Sequence, residues 1–401
     1  MLKEKDNIED KPMEFDLLIK LCEASIFEKS DFSESELSIT DLDVLLKLAH
    51  RQKVTPLVYE VLTKNGVIPF LTKEKQASLK QMAFSRILTN LKQTKELTRI
   101  LELFSENDIE AIPYKGVVLA HEAYGSVGAR VFSDIDLMVS EKDLKLITEI
   151  LKKEHYIHKN KMAPIFMKHF IKQNCEFNFE YFENGNRIFH IEPHWRIGQK
   201  MLQLDIGLED LRPLIIEKQL FNVPMKLFTP EGMLLSTCLH HFGKEQWLRL
   251  KHICDIACII QRFNADINWK VLLELSRTLK VENILLFGIQ LTKRFFPIDL
   301  PNEIIKELQS QDLDSLVELQ YDRIRYERLE NNQNSVISRM KFHLKLRKKI
   351  STKLKIIYYH LEQIIKPTAE DFGKEEISQW QYFLLFFTKP FRLLNTYFQG
   401  K

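Results

Sequence analysis

YKGVVLAHEAYGSVGARVFSDIDLMV, residues 114–139, is the stretch of sequence that decides the fold. It ends in an apolar run that contains two carboxylates one residue apart, Asp134 and Asp136. Side chains alternate between the two faces of a strand, so both carboxylates would point to one face, roughly 6–7 Å apart. Two buried negative charges at this spacing repel each other, and a divalent metal ion between them removes the conflict. The run therefore predicts a β-strand that carries a magnesium site.

The residues before the aspartates favour this metal site over the alternative, a strand end with two solvated carboxylates. A short predicted strand, 112–114, runs into Lys115 and Gly116, and a short helix is predicted from Val117 to Tyr124. A glycine in this position lets backbone N–H groups approach a phosphate, and the following helix N-terminus adds a favourable dipole. Lys115 and Arg130 would supply positive charge to the same phosphate. The alternative role of Arg130 is a salt bridge that orders its loop.

A predicted hairpin downstream supplies a candidate for a third carboxylate. Apolar and polar residues alternate over 177–181, Asn184-Gly185 is a strong turn signal, and Arg187–Arg196 reads as the returning strand. We expect Glu192, on the returning strand, to lie close to the two aspartates. The alternatives are two glutamates on the partner strand, Glu176 and Glu180, or a site without a third carboxylate.

Two further motifs accompany the Asp-x-Asp run. Glu192 stands two positions before the pair His194-Trp195, and a later stretch contains His240, His241, Trp247, Leu250 and Asp255-Ile256-Ala257. In this order the motifs resemble an uncharacterised bacterial nucleotidyltransferase-like family of the DNA polymerase β nucleotidyltransferase superfamily. The resemblance covers residues 85–265 well and the two ends of the chain more loosely.

The resemblance implies an enzyme that moves a nucleoside monophosphate from an NTP to an acceptor, using Mg²⁺ or Mn²⁺. Asp134, Asp136 and Glu192 would hold two ions roughly 3.5–4 Å apart, with the third carboxylate serving mainly the ion on the acceptor side. Lys115, Gly116 and Arg130 would bind the phosphates. The acceptor is left open between a small molecule, a protein side chain and an RNA end.

One departure from the superfamily pattern supports a second hypothesis. The wider superfamily usually carries Gly-Ser before the first helix, where the serine helps to hold the triphosphate, whereas this chain reads Lys115-Gly116-Val117. A catalytically weak or inactive nucleotide-binding or regulatory module with the same fold is therefore the alternative function.

Several histidines and aromatic residues are candidates for substrate contact, and packing against the core is the alternative role for each. His194 has the same strand parity as Glu192 and would face the same cleft. The full set is His194, Trp195, His240, His241 and Lys251. A zinc site among the cysteines and histidines of 238–258 is disfavoured, because the segment has no Cys-x-x-Cys pair and cysteines are often simply buried.

Composition and periodicity predict an α+β protein, with a small mixed sheet flanked by N- and C-terminal helical regions, and the resemblance implies that the mixed-sheet core is a nucleotidyltransferase core. The chain has 401 residues but only 12 glycines and 13 prolines, which favours long helices over many turns. The helical period changes near Asp108, where short apolar segments begin. We therefore expect a helical region over 1–107, the α/β core over 108–200 and a helical domain over 201–401.

Charge and cysteine content predict the cellular setting. Five cysteines without disulfide-like spacing favour a reducing, cytoplasmic location. The N-terminus is too charged for a signal peptide, and no apolar run approaches the 18 residues or so of a transmembrane helix. The net charge of +3 says little about partners. The basic stretch 339–355 predicts a solvated helix face or, alternatively, a weak contact with nucleic acid or an anionic membrane.

Overall fold

The computed structural model describes residues 12–28, 41–64, 72–160, 164–326 and 336–365, and positions 380, 383, 384 and 387–389. Its N-terminal part is helical, as predicted. Asp41 and Thr72 cap the second and fourth of the described helices by accepting hydrogen bonds from backbone N–H groups of the first turn. These N-terminal helices are α1 (Pro12–Phe27), α2 (Leu42–Arg51), α3 (Thr55–Lys64) and α4 (Lys73–Ser105).

A mixed five-stranded sheet with flanking helices follows, which confirms the predicted α+β class. Its elements are β1 (Ala111–Pro113), α5 (Gly116–Glu122), β2 (Ile135–Val139), α6 (Leu144–Lys153), β3 (Ile157–His158), α7 (Pro164–Gln173), β4 (Phe179–Glu183) and β5 (Asn186–His194). The strand order is β1-β2-β5-β4-β3, in which β2 and β5 are parallel and the other neighbours are antiparallel.

The two predicted features that define this sheet are present, with one shift at a strand boundary. The β4–β5 hairpin turns at Asn184 and Gly185, whose φ angles are +49° and +76°, the left-handed region that these two residue types tolerate. Strand β2 begins at Ile135, so Asp134, which was predicted to lie inside the strand, comes immediately before it. The two-residue strand β3 carries too short a pattern to be predicted.

The region after the sheet is mainly helical but also contains a hairpin that the sequence did not predict. Strands β6 and β7 turn at Phe221 and Asn222, whose φ angles are +53° and +64°. Phenylalanine rarely adopts positive φ. A phenylalanine at position 221 therefore does not mark a tight turn in the sequence as a glycine would. The elements are α8 (Leu208–Leu211), β6 (Ile215–Leu220), β7 (Val223–Phe228), α9 (Pro230–His240), α10 (Leu250–Phe263), α11 (Trp269–Thr278), α12 (Glu282–Phe295), α13 (Asn302–Gln309), α14 (Asp314–Arg325), α15 (Val336–Lys345) and α16 (Ile350–Ile365).

Two hydrophobic cores lie on the two faces of the sheet. Met138 of β2 belongs to a large core that also includes side chains of α1 to α3 and of α9, α10 and α12. Leu137 and Val139 belong to a second core under α4 and α6. Because side chains alternate along β2, Asp136 shares the face of Met138 and points towards the C-terminal helices. The N- and C-terminal helices thus share one core, and the three-part domain division stays a prediction.

Two basic side chains of the stretch 339–355 form contacts within the protein. Arg347 is buried and donates hydrogen bonds to the carbonyl oxygens of Leu202 (2.6 Å) and Lys280 (3.1 Å). Lys348 forms an ion pair of 2.9 Å with Glu282. The structure therefore gives Arg347 a packing role in place of a surface contact. None of the described helices is both long and apolar enough to cross a membrane.

Candidate active site between strands β2 and β5

Asp136 and Glu192 lie side by side on the two parallel strands at the centre of the sheet. The register pairs Asp136 with Glu192 and Met138 with His194. Both carboxylates are buried, with 5% and 4% of their surface exposed. The pairing places Glu192 where the sequence predicts the third carboxylate, whereas Glu180 is engaged elsewhere, with Lys159 and Arg187.

Asp134 completes the group from the loop that leads into β2. Its carboxylate, the ring of His190 and the carboxylate of Glu192 each offer a ligand atom, and these atoms lie within 4.8 Å of one another. Asp136, Glu192 and His194 form a second such triplet. The two triplets share Glu192, so the described residues bring three carboxylates around one small volume.

Lys115 places a positive charge directly on this group. Its ammonium donates to Oδ1 of Asp136 at 2.7 Å and lies 3.0 Å from Nδ1 of His240. Burial and the charge of Lys115 hold the pKa of His240 well below its usual value, so the ring is neutral and accepts from the lysine. Burial alone would raise the pKa of Asp136, but the charge of Lys115, together with His194, outweighs it and keeps the carboxyl ionised.

His194 supplies a second cation. Its Nε2 lies 3.0 Å from Oδ1 of Asp136 and 3.5 Å from Oε2 of Glu192, while Nδ1 lies 3.3 Å from Glu176. Burial lowers the pKa of an imidazole, but Glu176 and Asp136 outweigh this and raise the pKa of His194 well above its usual value. The ring is therefore an imidazolium that bridges carboxylates.

Lys244 supplies the third cation from a π-helical turn, His241–Glu245, which follows α9. Its ammonium lies 2.8 Å from Oε2 of Glu192 and 2.7 Å from Oε1 of Glu176. Despite burial, which raises a carboxyl pKa, the hydrogen bond from His194 and the charge of Lys244 lower the pKa of Glu192 to about 2.

The donor set fits a divalent cation that prefers oxygen ligands. Three carboxylates converge, and Asp134 is the one that lies apart from the cations already described. Burial raises the pKa of Asp134, and the charges of Asp136 and Glu192 raise it further. A divalent ion held by Asp134, Asp136 and Glu192 would remove this repulsion, as Mg²⁺ does in carboxylate sites with open positions.

Comparison with known proteins agrees with the chemistry of these residues. A family model described as "Uncharacterised nucleotidyltransferase" matches residues 38–297, well over half of the chain. The chain belongs to this nucleotidyltransferase family. No curated protein and no solved structure matches it. The matched segment contains the whole sheet and helices α9 and α10, and so includes all three carboxylates of the candidate site.

Arg130 forms a buried ion pair with Asp255 and not with the three carboxylates of the candidate site. Its guanidinium donates to both carboxylate oxygens of Asp255 in α10, at 2.7 and 2.8 Å. Tyr124 and His241 also bond to Asp255, at 2.6 and 3.0 Å. These contacts match the loop-ordering salt bridge that was the alternative to phosphate binding for Arg130, and His241 contacts the same carboxylate.

The other candidate substrate contacts divide between the core and the site. Trp195 is buried, and its ring N–H donates to the carbonyl oxygen of Ile171 at 3.1 Å, so it packs against α7. Lys251 lies in the first turn of α10. Burial, with the neighbouring charge of Arg130, lowers the pKa of Lys251 to about 7. The charge of Asp134 raises the pKa of Lys251, which means that this lysine lies within electrostatic range of Asp134.

Two site residues escaped the sequence analysis for different reasons. His190 alternates with Glu192 and His194 along β5, so period-2 spacing would have identified it. Lys244 reaches the site because the chain forms a wide turn after α9, and nothing in the sequence spacing shows that geometry. Turns of this kind are frequent at functional sites.

Replacing Gly116 by alanine should lower the free energy of unfolding by about 1–3 kcal/mol. The glycine has φ +40°, and a Cβ added there would lie 3.2 Å from the carbonyl oxygen of Asp134. Both the backbone strain and the contact would act on the loop that carries Asp134. Denaturant unfolding of the full chain measures the loss.

Gly125→Ala is the matched control for this variant. Gly125 also has positive φ (+74°), but an added Cβ would have nothing within 4 Å. We expect Gly116→Ala to lose more stability than Gly125→Ala, and to show a smaller Mg²⁺-dependent rise in melting temperature. Equal losses of stability in the two variants would show that the close approach of Gly116 to the carbonyl oxygen of Asp134 does not affect stability.

Proposed function

We propose that this protein catalyses metal-dependent transfer of a nucleoside monophosphate from an NTP to an acceptor. The observation that carries the proposal is the pairing of Asp136 with Glu192, next to Asp134, in a chain that belongs to a nucleotidyltransferase family. We further propose that the family is part of the DNA polymerase β superfamily, on the basis of the Asp-x-Asp strand beside a third carboxylate.

Asp134, Asp136 and Glu192 would hold the divalent metal, Mg²⁺ or Mn²⁺. When bound, the metal would supply Lewis acidity at the phosphate and lower the pKa of the acceptor hydroxyl. Lys115 keeps an ammonium against Asp136, in position to neutralise phosphate charge. His240 holds that ammonium in place from the other side.

The proposed reaction exchanges one phosphorus–oxygen bond for another. The acceptor oxygen forms a bond to the α-phosphorus of the NTP, and the bond from the α-phosphorus to the oxygen that bridges it to the β-phosphorus breaks. Pyrophosphate leaves, and the hydroxyl proton of the acceptor passes to a carboxylate of the site.

A second candidate function, a nucleotide-binding or regulatory module without catalysis, is favoured by the charge balance of the site. The cations of Lys115, His194 and Lys244 already contact Asp136 and Glu192, two of the three carboxylates. These contacts stabilise the two carboxylates without a metal. The Lys115-Gly116 pair in place of Gly-Ser supports the same candidate.

Incubation with α-³²P-labelled NTPs, Mg²⁺ or Mn²⁺ and a cell extract tests the two candidates. We expect label to move to an extract component with the native protein and not with Asp134→Asn/Asp136→Asn. Absence of transfer, together with absence of a Mg²⁺-NTP shift in melting temperature, would contradict the proposal and favour the regulatory module. The size class of the labelled product would identify the kind of acceptor.

A further inference from the structure

A large cavity lies next to the candidate active site. It has a volume of about 920 Å³ and lies between the segment 50–56 that joins α2 to α3, helix α4, and Leu248 and Arg249 before α10. Cavities that bind small molecules are typically about 300–1,000 Å³. The cavity is therefore large enough for a small organic molecule with several charged groups.

The lining of this cavity is strongly basic. None of the described residues that line it carries a carboxylate, and five carry a positive charge: Arg51, Lys53, Arg86, Arg249 and Arg323. A second cavity of about 440 Å³ provides the contrast, because its Lys293 and Arg294 lie with Asp314 and Glu318 in the same lining. Among the residues that the structure describes, the lining of the larger cavity thus contains basic residues and no acidic residue.

Partial burial disfavours the charged forms of three of these residues, Lys53, Arg86 and Arg323, and a bound anion would stabilise them. Burial lowers the pKa of Lys53, and repulsion by Arg249 lowers it further. Burial also lowers the pKa values of Arg86 and Arg323. Arginine presents a planar set of N–H donors that matches the oxygens of a phosphate or a carboxylate. A phosphate group carries the larger negative charge of the two, about −1.5 to −2 at pH 7, which suits a wall with five basic residues.

The cavity adjoins the catalytic carboxylates through the loop before β2. Val131 forms part of the wall, and Arg86 donates to the carbonyl oxygen of Phe132 at 3.3 Å, two residues before Asp134. Lys53 is within electrostatic range of Asp134. An anion held by the wall would therefore lie next to the reacting groups.

We propose that this cavity binds the acceptor, and that the acceptor is a phosphate-bearing small molecule; the acceptor role rests on the proposed nucleotidyl transfer. The NTP phosphates are expected at Lys115, which does not line the cavity. Apolar wall residues, Pro56, Met82 and Leu248, would contact the organic part of the acceptor. Hydroxyls of Thr55, Ser85 and Thr89 also line the cavity.

Calorimetric titration of the full chain with inorganic pyrophosphate in EDTA tests the anion site without metal or catalysis. We expect Lys53→Gln/Arg249→Gln to weaken binding at least tenfold. Lys293→Gln, in the wall of the smaller cavity, should leave it unchanged, and circular dichroism confirms that each variant is folded. Absence of pyrophosphate binding, or binding lost in Lys115→Gln and kept in Lys53→Gln/Arg249→Gln, would overturn the proposal.

The transfer assay tests the identity of the acceptor. Treating the small-molecule fraction of the extract with phosphatase, and then removing the phosphatase by ultrafiltration, should abolish labelling. Labelling that survives this treatment would overturn the phosphate assignment. Pyrophosphate binding at Lys53 and Arg249 in a protein that transfers no label would overturn the proposed function and leave the anion site standing.

Discussion

Replacing Asp255 by asparagine should lower the free energy of unfolding by about 3–5 kcal/mol, the usual cost of removing one partner of a buried ion pair. Asp255 is fully buried, and Arg130 is 4% exposed. Asparagine has nearly the same shape but cannot balance the guanidinium charge. Its NH₂ group would also face an N–H donor of Arg130 or His241 where the native oxygen accepts.

The large effect follows from the position of Asp255 between two parts of the molecule. It lies on α10, and its partners Arg130 and Tyr124 lie on the segment that connects α5 to β2. Despite burial, which raises a carboxyl pKa, the charge of Arg130 keeps the pKa of Asp255 well below its usual value. The Arg130–Asp255 ion pair therefore links the loop that carries Asp134 to helix α10.

Denaturant unfolding measures this prediction, and two variants serve as controls. Glu318→Gln breaks an exposed ion pair with Arg294 (2.7 Å) and should cost less than about 1 kcal/mol. Arg130→Met/Asp255→Leu removes both buried charges and should recover part of the loss. If Asp255→Asn cost no more than Glu318→Gln, Arg130 would have to be stabilised by another group.

The sequence predicts the parts of the site that depend on local pattern. Strand parity and the Asn184-Gly185 turn predict which residues of the hairpin share a face, which made Glu192 the first candidate for the third carboxylate, whereas the pairing of β5 with β2 comes from the structure. Asp134 was predicted inside the strand, and the structure places it one residue before, in the loop that Arg130 and Gly116 shape.

The parts that escaped prediction depend on contacts between distant segments. Arg130 and Asp255 are 125 residues apart, and either could be an ordinary surface charge until the helices pack on the sheet. Lys244 reaches Glu192 from the C-terminal region because of a wide helical turn. The basic cavity combines α4 with segments near residues 50 and 249, which no local spacing relates. Tertiary packing therefore supplies both the counter-charges and the anion site.

Replacing Glu192 by glutamine should reduce transfer about a thousandfold, equivalent to about 4 kcal/mol of transition-state stabilisation, while nucleotide binding is partly retained. Glu192 is a candidate ligand for the acceptor-side metal, whereas Asp136 also contacts Lys115, the proposed phosphate-binding group. Asp136→Asn should therefore lose transfer and nucleotide binding together. The label-transfer rate and the Mg²⁺-NTP shift in melting temperature measure the two properties separately.

Glu183→Gln is the matched control for Glu192→Gln, because Glu183 lies on the same hairpin but is exposed on β4. It should leave both measurements unchanged. Equal loss of transfer and nucleotide binding in Glu192→Gln would contradict the proposal that Glu192 binds the acceptor-side metal. Full transfer in Glu192→Gln would show that Asp134 and Asp136 suffice, and Glu176, which shares Lys244 and His194 with Glu192, would become the remaining carboxylate to replace.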